Sequence, residues 1–247
     1  MQIVYGSDIG KSRLVNEDYV SWFNNQNDQP LMLLSDGMGG HQAGDVASEM
    51  AVSHLGEAWK QTSFNQVESV SSWLVDTIHK VNQLIFQKSL DFKDLDGMGT
   101  TLVAAALVKD ELIVAHVGDS RAYLYHDFQL KQLTDDHSLV NELVKSGELS
   151  NQQAKAHPQK NFVTRSMGTR NNVQVDLTSV PLCKGDIVLL CTDGLTNLVD
   201  ETEMKNVLKD WMTLEQKVEK LIEMANQACG YDNISVLLAH FDERTEG

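Results

Sequence analysis

Asp36, Asp119, Asp193, Asp232 and the pair Glu17–Asp18 each sit where an apolar run stops or starts. LMLLS is followed by Asp36–Gly37, ELIVAHV by Gly118–Asp119, and DIVLLCT by Asp193–Gly194. Tyr231–Asp232–Asn233 precedes ISVLLA, and Asn16–Glu17–Asp18 opens an early strand-like run. A single Asp-Gly is ordinary turn chemistry. Recurrence at the ends of core strands is different, because strand ends of one sheet system lie close in space. Carboxylates gathered there without partners repel, and burial raises their pKa values. A divalent cation removes that penalty. Oxygen-only donors suit hard ions, Mg²⁺, Mn²⁺ or Ca²⁺, and no EF-hand spacing is present. Glycine beside a carboxylate lets a carbonyl or a water approach an ion. The glycines after Asp36 are therefore expected to clear room for metal, water and substrate.

The elements that position these residues follow from periodicity. Residues 1–5, 18–23, 31–35, 100–108, 112–117, 121–126, 173–177, 186–191 and 234–239 read as strands, with turn signals between them. Residues 42–59 place Ala43, Val46, Ala47, Met50, Ala51 and Leu55 at three- and four-residue steps, an amphipathic helix. Residues 67–86 repeat that pattern, and residues 137–146, 202–211 and 214–228 also read as helical. Strands bunch into hairpin-like runs while the long helices pair early and late, which is an α+β pattern of antiparallel sheets with helices outside. Met50, Trp59 and Trp73 belong to core-facing stripes. There is no internal repeat, low-complexity stretch or separating linker, so residues 1–247 are expected to form one domain.

Composition narrows the function. The net charge of -15 over 247 residues argues against nucleic-acid binding, which needs a basic surface. Cys183, Cys191 and Cys229 are an odd set without CxxC spacing, which suits reduced thiols in the cytoplasm. The opening MQIVYGSDIGKSR lacks a basic leader before an apolar stretch, so no secretory signal is expected. The apolar run LVAAALV at 102–108 is far too short for membrane insertion.

In order along the chain stand RLVNED (13–18), SDGMGGH (35–41), GTT (99–101), HVGDSRAYL (116–124), LTDDHSLV (133–140), TRSMG (164–168), CTDGLTNLV (191–199) and YDNISVLL (231–238). Over nearly the whole chain these resemble the compact bacterial form of the metal-dependent serine/threonine protein phosphatases of type 2C. The resemblance implies a four-layer sandwich, two mostly antiparallel β-sheets flanked by α-helices, with a metal centre at one edge. It implies two Mn²⁺ or Mg²⁺ ions bridged by Asp36, with Asp193 and Asp232 completing one ion's protein ligands. The Gly37 carbonyl serves the other, with Glu17 nearby, directly or through water. A third, weaker ion is held by Asp119 with Asp193. Arg13 matches the arginine that binds phosphate, and Asp18 a carboxylate that hydrogen-bonds metal-bound water.

The implied reaction is hydrolysis of phosphoserine or phosphothreonine in proteins by a water shared between two cations. The implied partners are phosphorylated proteins, including a bacterial Ser/Thr protein kinase that the enzyme counteracts, and the chain is expected to act as a monomer. No CxxxxxR arrangement accompanies the cysteines, so a cysteine-based mechanism is not expected. The alternatives are a catalytically silent binding module of the same fold, or a hydrolase of another phosphate ester. Two positions depart from the family pattern. Met38 stands where eukaryotic members carry a histidine, which leaves the proton donor unassigned among His41, His137 and His157. Cys229 replaces the first of two glycines before Asp232. Residues 134–168 correspond to a mobile flap beside the site.

Overall fold

The computed structural model describes residues 1–39 and 43–242. One sheet contains β1 (Gln2–Asp8), β7 (Arg121–His126), β8 (Gln129–Gln132), β10 (Ile187–Cys191) and β11 (Ile234–His240), in the order β1-β11-β10-β7-β8. The other contains β2 (Asp18–Asn24), β3 (Pro30–Met38), β5 (Leu102–Val108), β6 (Glu111–Val117) and β9 (Asp176–Pro181) in that order, with β4 (Gly99–Thr100) paired to the end of β3. Every pairing is antiparallel. Helices α1 (Gly44–Lys60) and α2 (Val67–Asp91) cover the second sheet. Helices α6 (Glu201–Lys209) and α7 (Leu214–Ala228) cover the first. Among the described residues there are also the short helices α3 (Leu139–Lys145), α4 (Asn151–Lys155) and the single turn α5 (Asp193–Thr196), and a 3-10 turn at Lys93–Leu95.

The run LMLL explains the layering. Side chains of a strand alternate between faces. Leu31 and Leu33 join the core under α1 and α2, whereas Met32 and Leu34 join the core between the sheets, opposite Val188, Leu190 and Leu237. Both faces are covered, so the strand is apolar throughout and each buried side chain contributes about 1.5–3 kcal/mol. Trp59 is fully buried against Phe64 and Trp73, and its indole N–H donates to the Gln29 carbonyl at 2.8 Å. On the other side α7 lies directly on β1, where Gly6 leaves room for Val218 and Ile222. Capping boxes at Asp200/Glu203 and Thr213/Gln216 start α6 and α7.

Several elements differ from the periodicity reading. β3 continues through Asp36 to Met38, because Gly37 and Met38 pair with Thr100 and Gly99. The apolar alternation at 173–177 is not a strand core. Val173 and Val175 instead pack into the α1–α2 core, and β9 begins at Asp176. β8 escaped notice because its hairpin turn is Asp127–Phe128, both at positive φ, without the Asn-Gly signal. The helix expected from 137 starts after Ser138, whose hydroxyl caps it.

Candidate active site

All the carboxylates meet at one edge of the sandwich. Asp18 opens β2 and faces Asp36 directly across the β2–β3 ladder, a pairing of like charges that costs stability by itself. The Asp36 backbone is tied on both sides. Its N–H donates to Thr101 Oγ1 at 2.9 Å. Its carbonyl accepts from the Thr101 N–H at 2.9 Å and the Thr100 hydroxyl at 2.9 Å. The Thr101 hydroxyl, which accepts from Asp36, also shares a hydrogen bond with Ser120 Oγ at 2.7 Å. The GTT segment thus locks the Asp36 strand to the Gly118–Asp119–Ser120 turn.

The other sheet supplies Asp193 and Asp232. Asp193 leaves the end of β10 as the first residue of α5, and Asn197 Nδ2 donates to its Oδ2 at 2.9 Å. The Asp36 and Asp193 carboxyl groups are close enough to influence each other's ionisation. Asp232 immediately precedes Asn233, and Arg13 Nη2 lies 2.9 Å and 3.0 Å from its two oxygens. Asn233 organises the loop that carries Arg13. Its Nδ2 donates to the carbonyls of Ile9 (2.9 Å) and Val15 (3.1 Å), and its Oδ1 accepts from the Glu17 N–H (2.9 Å). The Glu17 carboxylate accepts from the Gly44 N–H at the start of α1, where the helix favours negative charge.

Two of the glycines beside the carboxylates are required by close approach of backbone. A Cβ on Gly37 would overlap the Gly44 carbonyl and approach the Glu17 carbonyl, and a Cβ on Gly194 would overlap the Asn233 carbonyl. At these two positions the space is filled by neighbouring backbone; a Cβ on Gly39 would meet nothing closer than 3.5 Å, and Gly40 lies outside the described residues. Gly37→Ala is therefore expected to cost at least about 1–3 kcal/mol, since a carbonyl cannot rotate away as a side chain can. Thermal unfolding of the variant measures this; an unchanged melting temperature would contradict it.

Electrostatics distinguish this edge from an ordinary acidic surface. Burial, reinforced by neighbouring carboxylates and opposed by hydrogen bonds, pushes Asp18 up to about 7 and Asp119 up to about 8. Burial and Asp232 push Asp193 up to about 6, and burial with four neighbouring carboxylates holds Asp36 well above the usual range. Asp18 Oδ2 accepts from the Thr192 hydroxyl at 3.0 Å, while its Oδ1 is buried without a partner. Arg13 is the one cation paired with this group among the described residues; Arg121 is committed to Asp136 at 2.6 Å. An orphaned carboxylate oxygen among oxygen-only donors fits hard divalent cations.

Every site residue expected from the sequence lies here: Arg13, Glu17, Asp18, Asp36, Gly37, Asp119, Asp193 and Asp232. The residues that the sequence reading missed are their holders, Thr101, Thr192, Asn197 and Asn233. Three of these stand within two residues of Asp193 or Asp232, or inside GTT, which was their available signal; Asn197 lies one helical turn beyond Asp193. His41 lies outside the described residues. His137 is buried, accepts from the Gly118 N–H at Nδ1 (3.0 Å) and lies 3.3 Å from Asp176 at Nε2. His157 Nδ1 accepts from the Gln159 N–H at 3.1 Å. Cys229 takes an extended backbone (φ 172) that any residue adopts, and the positive φ falls on Gly230. The missing glycine therefore leaves Asp232 in place.

Sheets joined at such an acidic, arginine-capped edge define a phosphatase. The family model described as protein phosphatase 2C matches residues 6–228, and the chain belongs to that family. It is similar to a serine/threonine phosphatase stp of Listeria monocytogenes, with 47% identity covering 100% of this chain and 98% of that one. A solved serine/threonine phosphatase of S. agalactiae superposes with a TM-score of 0.94 at 42% identity, covering 98% of this chain and 99% of that one. The catalytic domain of the phosphatase PstP, solved in complex with two manganese ions, superposes with a TM-score of 0.87 at 31% identity, covering 98% of each chain.

Proposed function

We propose that the chain removes phosphate from phosphoserine and phosphothreonine in proteins, using divalent cations held by Asp36, the Gly37 carbonyl, Asp193 and Asp232. Glu17 stands alongside, and Asp119 with Asp193 holds a third, weaker ion. The observation that carries this reading is the convergence of buried carboxylates that have one cationic partner and an orphaned oxygen between them. Bound there, Mn²⁺ or Mg²⁺ supplies the positive charge that phosphoryl transfer requires and lowers the pKa of water.

The chain's own groups do the rest. Arg13 is anchored at one end by Asp232 and is half-exposed, so its planar fork can grip phosphoryl oxygens at the mouth of the site. Asp18 is fixed through Oδ2 by Thr192, which leaves Oδ1 to accept a proton from the attacking water and orient it. The ring of His137 is committed to Gly118 and Asp176, so it is not the donor to the leaving alkoxide. Residues 134–168 form the flap of one catalytic domain. They run out from Gly118, where His137 N–H donates to the Gly118 carbonyl (2.9 Å), and return through the Thr100–Met167 bridge. α3 and α4 within it contain no buried residue, which suits a segment that adapts to protein substrates. The physiological setting that fits is the cytoplasm, opposite a Ser/Thr kinase.

Phosphate release from a phosphothreonine peptide tests the reading, measured with Mn²⁺, Mg²⁺ or chelator, for wild type and Asp193→Ala. Release that needs the cation and is lost in the variant is expected. No release from folded wild type under either metal would favour the silent binding module, and faster turnover of nucleotides than of the peptide would favour a different phosphate ester.

A further inference from the structure

A second cluster of ligating side chains lies at the far end of β10. His126 ends β7, and Cys183 and Asp186 bracket the turn that enters β10. His126 Nδ1 is 2.7 Å from Asp186 Oδ1. The other Asp186 oxygen accepts from the Cys183 N–H at 2.8 Å, and the Asp186 N–H donates to the Cys183 carbonyl at 3.0 Å. Asp186 is buried, while Cys183 and the His126 ring are open to solvent. One donor atom from each of the three residues lies within 4.8 Å of the others.

We propose that His126, Cys183 and Asp186 form a binding site for a borderline-soft divalent ion, Zn²⁺, separate from the oxygen-lined catalytic edge. A thiolate, an imidazole and a carboxylate are zinc donors, and three of them leave a fourth tetrahedral position for water. The same donors disfavour Mg²⁺ and Mn²⁺, so the two sites select different ions. Ligand atoms around a tetrahedral zinc stand roughly 3.5 Å apart, given bonds of about 2.0–2.3 Å. Small rotations of the two exposed side chains would open the 2.7 Å His126–Asp186 contact and bring all three donors, now within 4.8 Å, to that spacing. The turn fixes Asp186, so only those two need to be ordered.

Binding must expel protons. The Asp186 hydrogen bond and charge favour the protonated imidazole of His126, and the thiol has to ionise, so zinc affinity rises with pH. Asp186 and Asp193 are separated by the length of β10, roughly 20 Å at about 3.3 Å per residue. Zinc here would staple β7 to the turn before β10 without touching the reacting groups.

The test uses the full chain saturated with Mg²⁺ and Co²⁺ as a spectroscopic probe for zinc. One equivalent of Co²⁺ should give a sulfur-to-cobalt charge-transfer band that Zn²⁺ displaces. The band should vanish in Cys183→Ser, weaken at least about tenfold in affinity in His126→Gln, and persist in Cys229→Ser. Cys183 and His126 are exposed, so these variants are expected to fold and to keep Mg²⁺-dependent activity. No band in wild type, a band that survives Cys183→Ser, or one unmoved by His126→Gln overturns the proposal. None of these outcomes depends on whether phosphopeptides are hydrolysed.

Discussion

Asp36→Asn is expected to lower metal-dependent phosphate release by at least about a thousandfold while raising the melting temperature of the chelated protein. The loss amounts to about 4 kcal/mol of transition-state stabilisation, on the scale of the charge stabilisation that catalytic metals provide. Stability moves the other way because of where Asp36 sits. It faces Asp18 in register and feels Asp193, Asp119 and Asp232. Without cations, folding holds its carboxyl well above the usual range, so it favours a proton that the unfolded chain has already released at neutral pH. Asparagine has the same shape, can donate a hydrogen bond where a protonated carboxyl would, and carries no proton to retain. Single-turnover assays and thermal unfolding with chelator measure the two halves. A variant that is both inactive and less stable would mean that Asp36 is a structural residue and would remove it from the metal centre.

Chelation should destabilise the protein strongly at pH 8 and barely at pH 5. Unfolded aspartates ionise near pH 4, whereas the folded, cation-free chain keeps Asp18 protonated to about pH 7 and Asp119 to about pH 8. Between those limits the folded form binds more protons than the unfolded form, so its stability falls as pH rises. The stability is fully present below about pH 4, and the loss is complete above about pH 8. Bound cations replace the protons and flatten the profile. With several kcal/mol at stake and about 2–4 °C per kcal/mol for a chain of this size, the gap between Mg²⁺-loaded and chelated melting temperatures should exceed about 10 °C at pH 8. Parallel thermal scans across pH decide it. A gap independent of pH would show that these carboxylates do not hold the ions.

The carboxylates were readable because each ends or begins an apolar strand, a pattern that survives in one dimension. Asn233 illustrates what was not. Nothing in its surroundings announces that one amide fastens the carbonyls of Ile9 and Val15 and the amide of Glu17. Its partners are more than two hundred residues away, and hydrogen bonds of that range leave no local signature. Thr101 is similar: a hydroxyl in GTT reads as strand decoration until Asp36 and Ser120 are found on either side of it. The glycines after Asp36 do not share one cause: Gly37 is pressed by backbone, while Gly39 is not. Sequence shows that a side chain is missing, not whether ligand or backbone fills the gap. The sandwich was legible from LMLL and its counterparts because burial on both faces removes all polar residues. β8 and α5 were not: four residues are too few to establish a periodic pattern, and the Asp127–Phe128 turn before β8 carries no Asn-Gly signal.

The Arg13–Asp232 contact also bears on synthesis. The two residues are 219 positions apart, and β11, the strand that follows Asp232, lies between β1 and β10 in its sheet. At about 5–20 residues per second, Asp232 leaves the ribosome roughly 10–40 s after Arg13. Until then β1 has no partner strand and the acidic edge lacks Asp232. A growing chain thus waits with its acidic edge incomplete until its closing strand slots between two older ones.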